Sequence, residues 1–274
     1  MATAGDEDIR IWDVKGIVDS SDGNIQGSDK KMDPVKPKAV LRNPQASGSR
    51  GFVTPAFETN ALATLGETMF AASGDGNIYA WDTNTGKQTQ TLQGHSEIVH
   101  CLSACGSSLL CSGSEDGTVR GWDPRTSSQV FALNPLTGTE FAHEDEKKGS
   151  WIGCLCSDDS GSWMACGGGD RYVALWHVGS RRIITTMPTA GTPQAVVMFE
   201  DRVISGGNQS YVFHWSKSGE LMGRAACKSK SVFSLAVNRA KSPHQLVAAG
   251  LTCIDLFVNH KTLCRSWGMS DEEM

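Results

Sequence analysis

Apolar and β-branched residues recur along this chain in short runs, broken at near-regular intervals by Gly, Asp and Ser. Between residues 93 and 133 the runs are Ile98 to Leu102, Leu109 to Ser112, Thr118 to Trp122 and Val130 to Leu133, each too short for a helix and bounded by turn residues. They predict four consecutive strands. The same grammar repeats. Ala4-Gly5-Asp6 leads into Ile9-Arg10-Ile11-Trp12, Ser73-Gly74-Asp75-Gly76 into Ile78-Tyr79-Ala80-Trp81, and Ser112 to Gly117 into Val119-Arg120-Gly121-Trp122. It recurs as Gly167-Gly168-Gly169-Asp170 before Trp176, as Ser205-Gly206-Gly207-Asn208 before Trp215, and more faintly as Ala248-Ala249-Gly250 before Phe257.

From Trp81 to Trp122 is 41 residues, from Trp176 to Trp215 is 39, and from Trp215 to Phe257 is 42. A period of about 40 residues with four strands per unit is that of a propeller blade, so the expected fold is an all-β, WD-repeat β-propeller. The complete blades are expected at 58–92, 93–133, 149–188, 189–227 and 228–269, within one propeller domain over 1–269. Two longer intervals mark surface insertions: a Ser-, Asp- and Gly-rich loop at 16–37, and a charged segment at 134–149 containing Glu144-Asp145-Glu146-Lys147-Lys148. An acidic tail occupies 270–274. Met1 falls just before the turn and third strand of a unit, so residues 1–57 are expected to supply only the C-terminal half of a blade, the first two strands being absent upstream.

An Asp stands six residues before the closing Trp in four units, as Asp6, Asp75, Asp116 and Asp170. In the turn between second and third strands an Asp tolerates the backbone geometry and accepts backbone hydrogen bonds. One unit also carries Gly94-His95, Ser112 and Trp122-Asp123, and so resembles the full WD-repeat tetrad of His95, Ser112, Asp116 and Trp122. The resemblance implies a buried, blade-stabilising network rather than a catalytic dyad of His95 and Asp116.

Composition narrows the function. Net charge is −5, which gives no global pull on nucleic acid, but residues 201–269 hold nine Lys or Arg against three acids. Any RNA contact is expected to be weak and to map to Lys228, Lys230, Arg239 and Lys241. The nine cysteines contain no Cys-x-x-Cys pair and several sit in apolar runs, as reduced core thiols do. No apolar run nears the ~20 residues of a membrane span, and the N-terminus lacks a signal-peptide pattern, so a soluble intracellular chain is expected. Gly167-Gly168-Gly169 precedes a strand rather than the helix a phosphate cradle needs. With no nucleophile elbow or metal-binding motif present, no catalytic residue, metal, cofactor or small-molecule substrate is expected.

Two features point to partners. Trp151 follows the charged insertion at the entry to a first strand, where it is open to an interface-anchor role or to packing against the insertion. Trp122-Asp123-Pro124-Arg125 matches the Trp-Asp-x-Arg pattern by which WD-repeat proteins resemble substrate receptors of cullin-type ubiquitin ligases, with Asp123 and Arg125 as candidate contacts.

Trp151-Ile152-Gly153-Cys154-Leu155, Trp163 to Gly169, Leu175-Trp176-His177, Ile98 to Leu102 and Ser218-Gly219-Glu220-Leu221 together resemble the THO complex subunit 6 family of WD-repeat proteins. The resemblance is strong over 98–177 and thin over 13–57. It implies a seven-bladed propeller, here lacking about one and a half blades at its start. It also implies a nuclear, non-catalytic scaffold of the THO/TREX machinery for mRNA processing and export, with coiled-coil subunits 5 and 7 as partners.

Overall fold

The computed structural model describes residues 1–4, 8–12, 36–42, 44, 57–135, 151–238, 244–259 and 262–268, in which every regular element is a β-strand. The first sheet holds β1 (Ala2–Ala4), β2 (Ile9–Ile11) and β3 (Ala39–Leu41). The second holds β4 (Thr59–Leu65), β5 (Thr68–Ser73), β6 (Ile78–Asp82) and β7 (Gln88–Leu92). The third comprises β8 (Val99–Cys105), β9 (Leu109–Ser114), β10 (Val119–Asp123) and β11 (Ser128–Leu133); the fourth β12 (Ile152–Ser157), β13 (Trp163–Gly168), β14 (Tyr172–His177) and β15 (Arg182–Pro188). The fifth is β16 (Pro193–Phe199), β17 (Arg202–Gly207), β18 (Gln209–Ser216) and β19 (Leu221–Ala226); the sixth β20 (Val232–Asn238), β21 (Gln245–Gly250), β22 (Cys253–Val258) and β23 (Thr262–Gly268). Each sheet is an antiparallel meander in chain order, and the leading strands β4, β8, β12, β16 and β20 pack successively on one another.

The opening sheet corrects one expectation. It has three strands rather than two, because Ala2-Thr3-Ala4 pairs with Ile9-Arg10-Ile11 as the end of a second strand. A three-residue Ala-Thr-Ala run has too little apolar patterning to announce itself; the hairpin geometry recruits it. The loop at 16–37 lies almost wholly outside the described residues, as do the charged insertion beyond Pro135 and the tail at 270–274.

Register is repeated closely. In each four-stranded sheet the leading strand slips by one residue after its first pair, leaving Asn60, His100, Gly153, Gln194 or Phe233 as the extra residue. A second slip falls immediately before Trp81, Trp122, Trp176, Trp215 and Phe257, between third and fourth strands. Bulges of this kind raise the right-handed twist locally, which fans each sheet so that it can stack obliquely on the next.

The core lies between sheets. Three residues before the closing aromatic stand Ile9, Ile78, Val119, Val173 and Val212, all fully buried, and their cross-strand partners Leu41, Leu92, Leu133, Met187 and Ala225 are buried with them. This apolar row meets the following sheet. In the sixth sheet the equivalent pair is Ile254 and Trp267, each 46% exposed.

The same side chain at two equivalent positions makes a direct test of sheet-on-sheet burial. Ile78→Ala should cost about 2–5 kcal/mol, the usual range for emptying a packed aliphatic site, and Ile254→Ala less than about half of that. Urea denaturation of the two variants decides it. Equal costs would show that Ile254 is covered in solution.

Candidate functional site

The densest polar cluster sits in the third sheet. Trp122 Nε1 donates to Ser112 Oγ at 2.8 Å, and Ser112 Oγ lies 2.7 Å from His95 Nε2. His95 Nδ1 lies 2.8 Å from Asp116 Oδ2. The carboxylate also accepts from Ser96 N at 3.2 Å, Thr118 N at 2.9 Å and Thr118 Oγ1 at 2.6 Å. All four members of the network are buried. The local sequence explains the arrangement: the turn after β9 needs Gly117 at a φ of 79°, which swings Asp116 back toward the 93–98 segment that carries His95.

Electrostatics fix the protonation states. Burial pushes the His95 imidazole below its ordinary value, more than the neighbouring Asp116 restores, so the ring is neutral at pH 7 with its proton on Nδ1 toward the carboxylate. Burial alone would raise Asp116, but the hydrogen bonds from His95 and from Thr118 hold its carboxyl well below the usual carboxylate range. The chain of donors then runs from Trp122 through Ser112 and His95 to Asp116.

The connectivity Ser112–His95–Asp116 is that of a nucleophilic triad, but its setting is not. A catalytic serine must present its oxygen to a substrate beside an oxyanion site. Ser112 is fully buried, and its oxygen already receives the Trp122 indole N–H. The cluster ties two strands, β9 and β10, and the turn between them to the segment that precedes β8. Thr118, with two of the donors on Asp116, is a member that the four-residue motif does not announce.

The other units keep parts of this pattern. Trp12 donates to Thr3 Oγ1 at 2.9 Å, Trp176 to Cys166 Sγ at 3.3 Å and Trp215 to Ser205 Oγ at 3.0 Å. Trp81 has no partner for its buried Nε1, because Ala71 occupies the place of the hydroxyl or thiol. Asp75 is tied within its own turn by Asn77 N at 3.0 Å, Asn77 Nδ2 at 2.9 Å and the Tyr79 hydroxyl. These bonds outweigh the raising effect of burial and keep its carboxyl below the ordinary value. Asp170 occupies the corresponding turn, half-buried, while Asp6 lies outside the described residues.

The candidate contact residues are dispersed. Arg125 is exposed in the turn after β10, and its Nη2 and Nε bind Asp123 Oδ2 at 2.7 Å and Oδ1 at 3.0 Å. Trp151 is 36% exposed immediately before β12, its ring edge-on to His100 with centroids 5.9 Å apart. Lys228 and Lys230 are exposed in the segment before β20; Arg239 and Lys241 fall outside the described residues. The glycines at 167–169 serve close packing: a Cβ on Gly168 would stand 1.8 Å from the Trp151 carbonyl oxygen, which Gly169 N meets at 3.0 Å. All nine cysteines are free thiols, and burial holds those of Cys101, Cys154 and Cys166 protonated. Among the described residues no cluster of His, Cys, Asp or Glu could hold a metal ion, and no helix is long and apolar enough to cross a membrane.

Comparison with known proteins adds relatives to this geometry. The family described as Nucleolar protein 10-like, N-terminal domain, a β-propeller, matches residues 59–223. THO complex subunit 6 of Homo sapiens is 34% identical over 209 residues, covering 74% of this chain and 60% of its own length. The Arabidopsis thaliana THO complex subunit 6 is 31% identical over 223 residues, covering 80% and 57%. The chain thus spans about three fifths of the length of these curated relatives. Among solved structures, a chain of the crystal structure of the mitotic checkpoint complex superposes with a TM-score of 0.68 over 85% of this chain and 72% of its own, at 18% identity, a likeness of fold alone.

Two outcomes follow from the network and a third from the unmatched Trp81. Asp116→Asn should destabilise the protein by about 1–3 kcal/mol in urea denaturation, the cost of disturbing a buried hydrogen-bonded group. Because both His95 and Asp116 are depressed in the folded state, their contributions are full above the unfolded values and are lost as pH falls. For His95 the loss begins below about pH 6.5, and for Asp116 below about pH 4. The slope of stability against pH between 7 and 5 should therefore shrink in His95→Gln. Supplying the missing acceptor with Ala71→Ser should add about 1 kcal/mol, and only while Trp81 is present. An equal gain in a Trp81→Phe background would show that the hydroxyl acts otherwise.

Proposed function

The chain belongs to the β-propeller family of Nucleolar protein 10-like N-terminal domains and is a homologue of THO complex subunit 6, and from that kinship we propose that it is a non-catalytic scaffold subunit of a THO complex. In this reading it acts in the nucleus, in mRNA processing and export as part of the TREX machinery. It meets the coiled-coil THO subunits 5 and 7 through loops on one end of its blades. The observation that carries the reading is the 34% identity to THO complex subunit 6 over 209 residues.

The chemistry of the chain supports a scaffold. Its most enzyme-like constellation is consumed by internal hydrogen bonds, and five of its nine thiols are buried. RNA contact is indirect or weak, since the net charge of −5 opposes phosphate and leaves only local basic residues such as Lys228 and Lys230 to attract it. The ligase-receptor reading through Arg125 is the less favoured one. Two of its five guanidinium donors are already paired with Asp123, so an adaptor would have to displace or share that carboxylate.

Affinity capture from nuclear extract separates these readings. Wild-type protein and Arg125→Ala should recover THO subunits equally, while Trp151→Ala recovers less, after each variant is shown to be folded. Recovery of a cullin adaptor without any THO subunit, lost on Arg125→Ala, would overturn the proposal. Filter binding to single-stranded RNA should be weak and fall steeply with salt; tight, salt-insensitive binding would remove the claim that RNA contact is incidental.

A further inference from the structure

Four sheets solve one backbone problem in the same way. The residue just before or at the start of the leading strand offers its carbonyl to the end of the second strand: Glu58 to Gly74, Ile98 to Glu115, Trp151 to Gly169 and Thr192 to Asn208. Glu, Ile and Thr all serve, so the fold does not require an indole at Trp151. Yet the indole is held firmly. Its ring lies over Gly153, where a Cβ would stand 2.2 Å from the ring carbon Cζ3, and its edge meets His100 of the preceding sheet. Gly153 fills the bulge position that is Asn, His, Gln or Phe in the other four-stranded sheets. Only a glycine there leaves room for the ring to lie down on the strand.

A carboxylate lies close to this ring, one side chain away. His100 Nε2 lies 3.7 Å from Glu115 Oε2, a carboxylate whose side chain is half exposed, so Glu115, His100 and Trp151 form one contiguous surface across two sheets. Glu58 and Glu97 are exposed at the same end of the neighbouring sheets, where the leading strands begin. A rigid indole beside a carboxylate is matched by a planar cation, which stacks on the ring and keeps donors free for the acid.

We propose that Trp151 and Glu115 seat an arginine side chain of a basic peptide segment from a partner protein. The proposal deepens the interaction-scaffold reading above and rests on it, naming the chemistry of the segment that the Trp151 surface takes. A nucleic-acid base also stacks on indole, but Glu115, the carboxylate of this surface, repels its phosphates, which favours the peptide.

Fluorescence anisotropy with a fluorescein-labelled peptide of three Arg-Gly-Gly repeats at low salt tests it. Wild-type protein should bind, the Lys-Gly-Gly version should bind more weakly, and Trp151→Ala and Glu115→Gln should each weaken the arginine peptide about 5-fold or more. Trp151→Phe should keep part of the affinity. Unchanged affinity in a folded Trp151→Ala, or in Glu115→Gln if the Trp variant fails to fold, overturns the inference. So does preferential binding of single-stranded oligouridine that is lost on Trp151→Ala. The two readings fail separately: THO subunits captured by wild type that shows no peptide binding would sink this inference alone, whereas peptide binding without THO capture would sink the complex assignment and leave the arginine seat.

Discussion

Every described sheet has two faces, and the first five each bury the apolar row of one face under the sheet that follows. The constraint that organises the chain is the burial of an apolar row between successive sheets, with Ile9, Ile78, Val119, Val173 and Val212 at its centre and a cross-strand aliphatic partner beside each. Hydrogen bonding alone would assemble the described strands into six separate meanders. Stacking is what makes them one body, because a single four-stranded sheet cannot bury enough surface to hold itself together. The regular bulges follow from the same demand, since they supply the twist that lets flat meanders stack obliquely.

Against that background the polar network of the third sheet acts as a corner brace. Buried donors and acceptors cost several kcal/mol when unmatched and return only a modest gain when matched, so their value lies in fixing one geometry. His95 reaches back from the connection before β8 to the turn after β9, and Ser112 links it to the indole of Trp122. The first, fourth and fifth sheets manage with a single indole bond, and the second with turn-local bonds around Asp75. One sheet leaves its Trp81 N–H unmatched, a local defect that the surrounding apolar packing tolerates.

The same network shows why function cannot be read from residue types alone. Ser, His and Asp stand in hydrogen-bonded series, and the distances would suit a nucleophile and its base. What differs is access: the oxygen is enclosed and spoken for. The surfaces that remain open include a Trp pinned over a glycine and an Arg125 paired with Asp123.

The sequence by itself determined the period, the strand-turn grammar and the position of the closing aromatics, because these depend on local propensity and on spacing along the chain. It also made the His95, Ser112, Asp116 and Trp122 set legible, since that motif resembles a known pattern. The first strand, Ala2–Ala4, was hidden, because three small residues carry no periodicity and only pairing with Ile9–Ile11 makes them a strand. Nor did spacing reveal that Thr118 completes the Asp116 shell, or that His100 and Gly153 hold Trp151 from two different sheets. Those contacts arise between residues brought together by stacking. Tertiary structure alone decided which equivalent positions are covered: Val212 and Ile254 read alike in the chain, yet one is sealed by the next sheet and the other is half exposed, since burial belongs to the neighbour as much as to the residue.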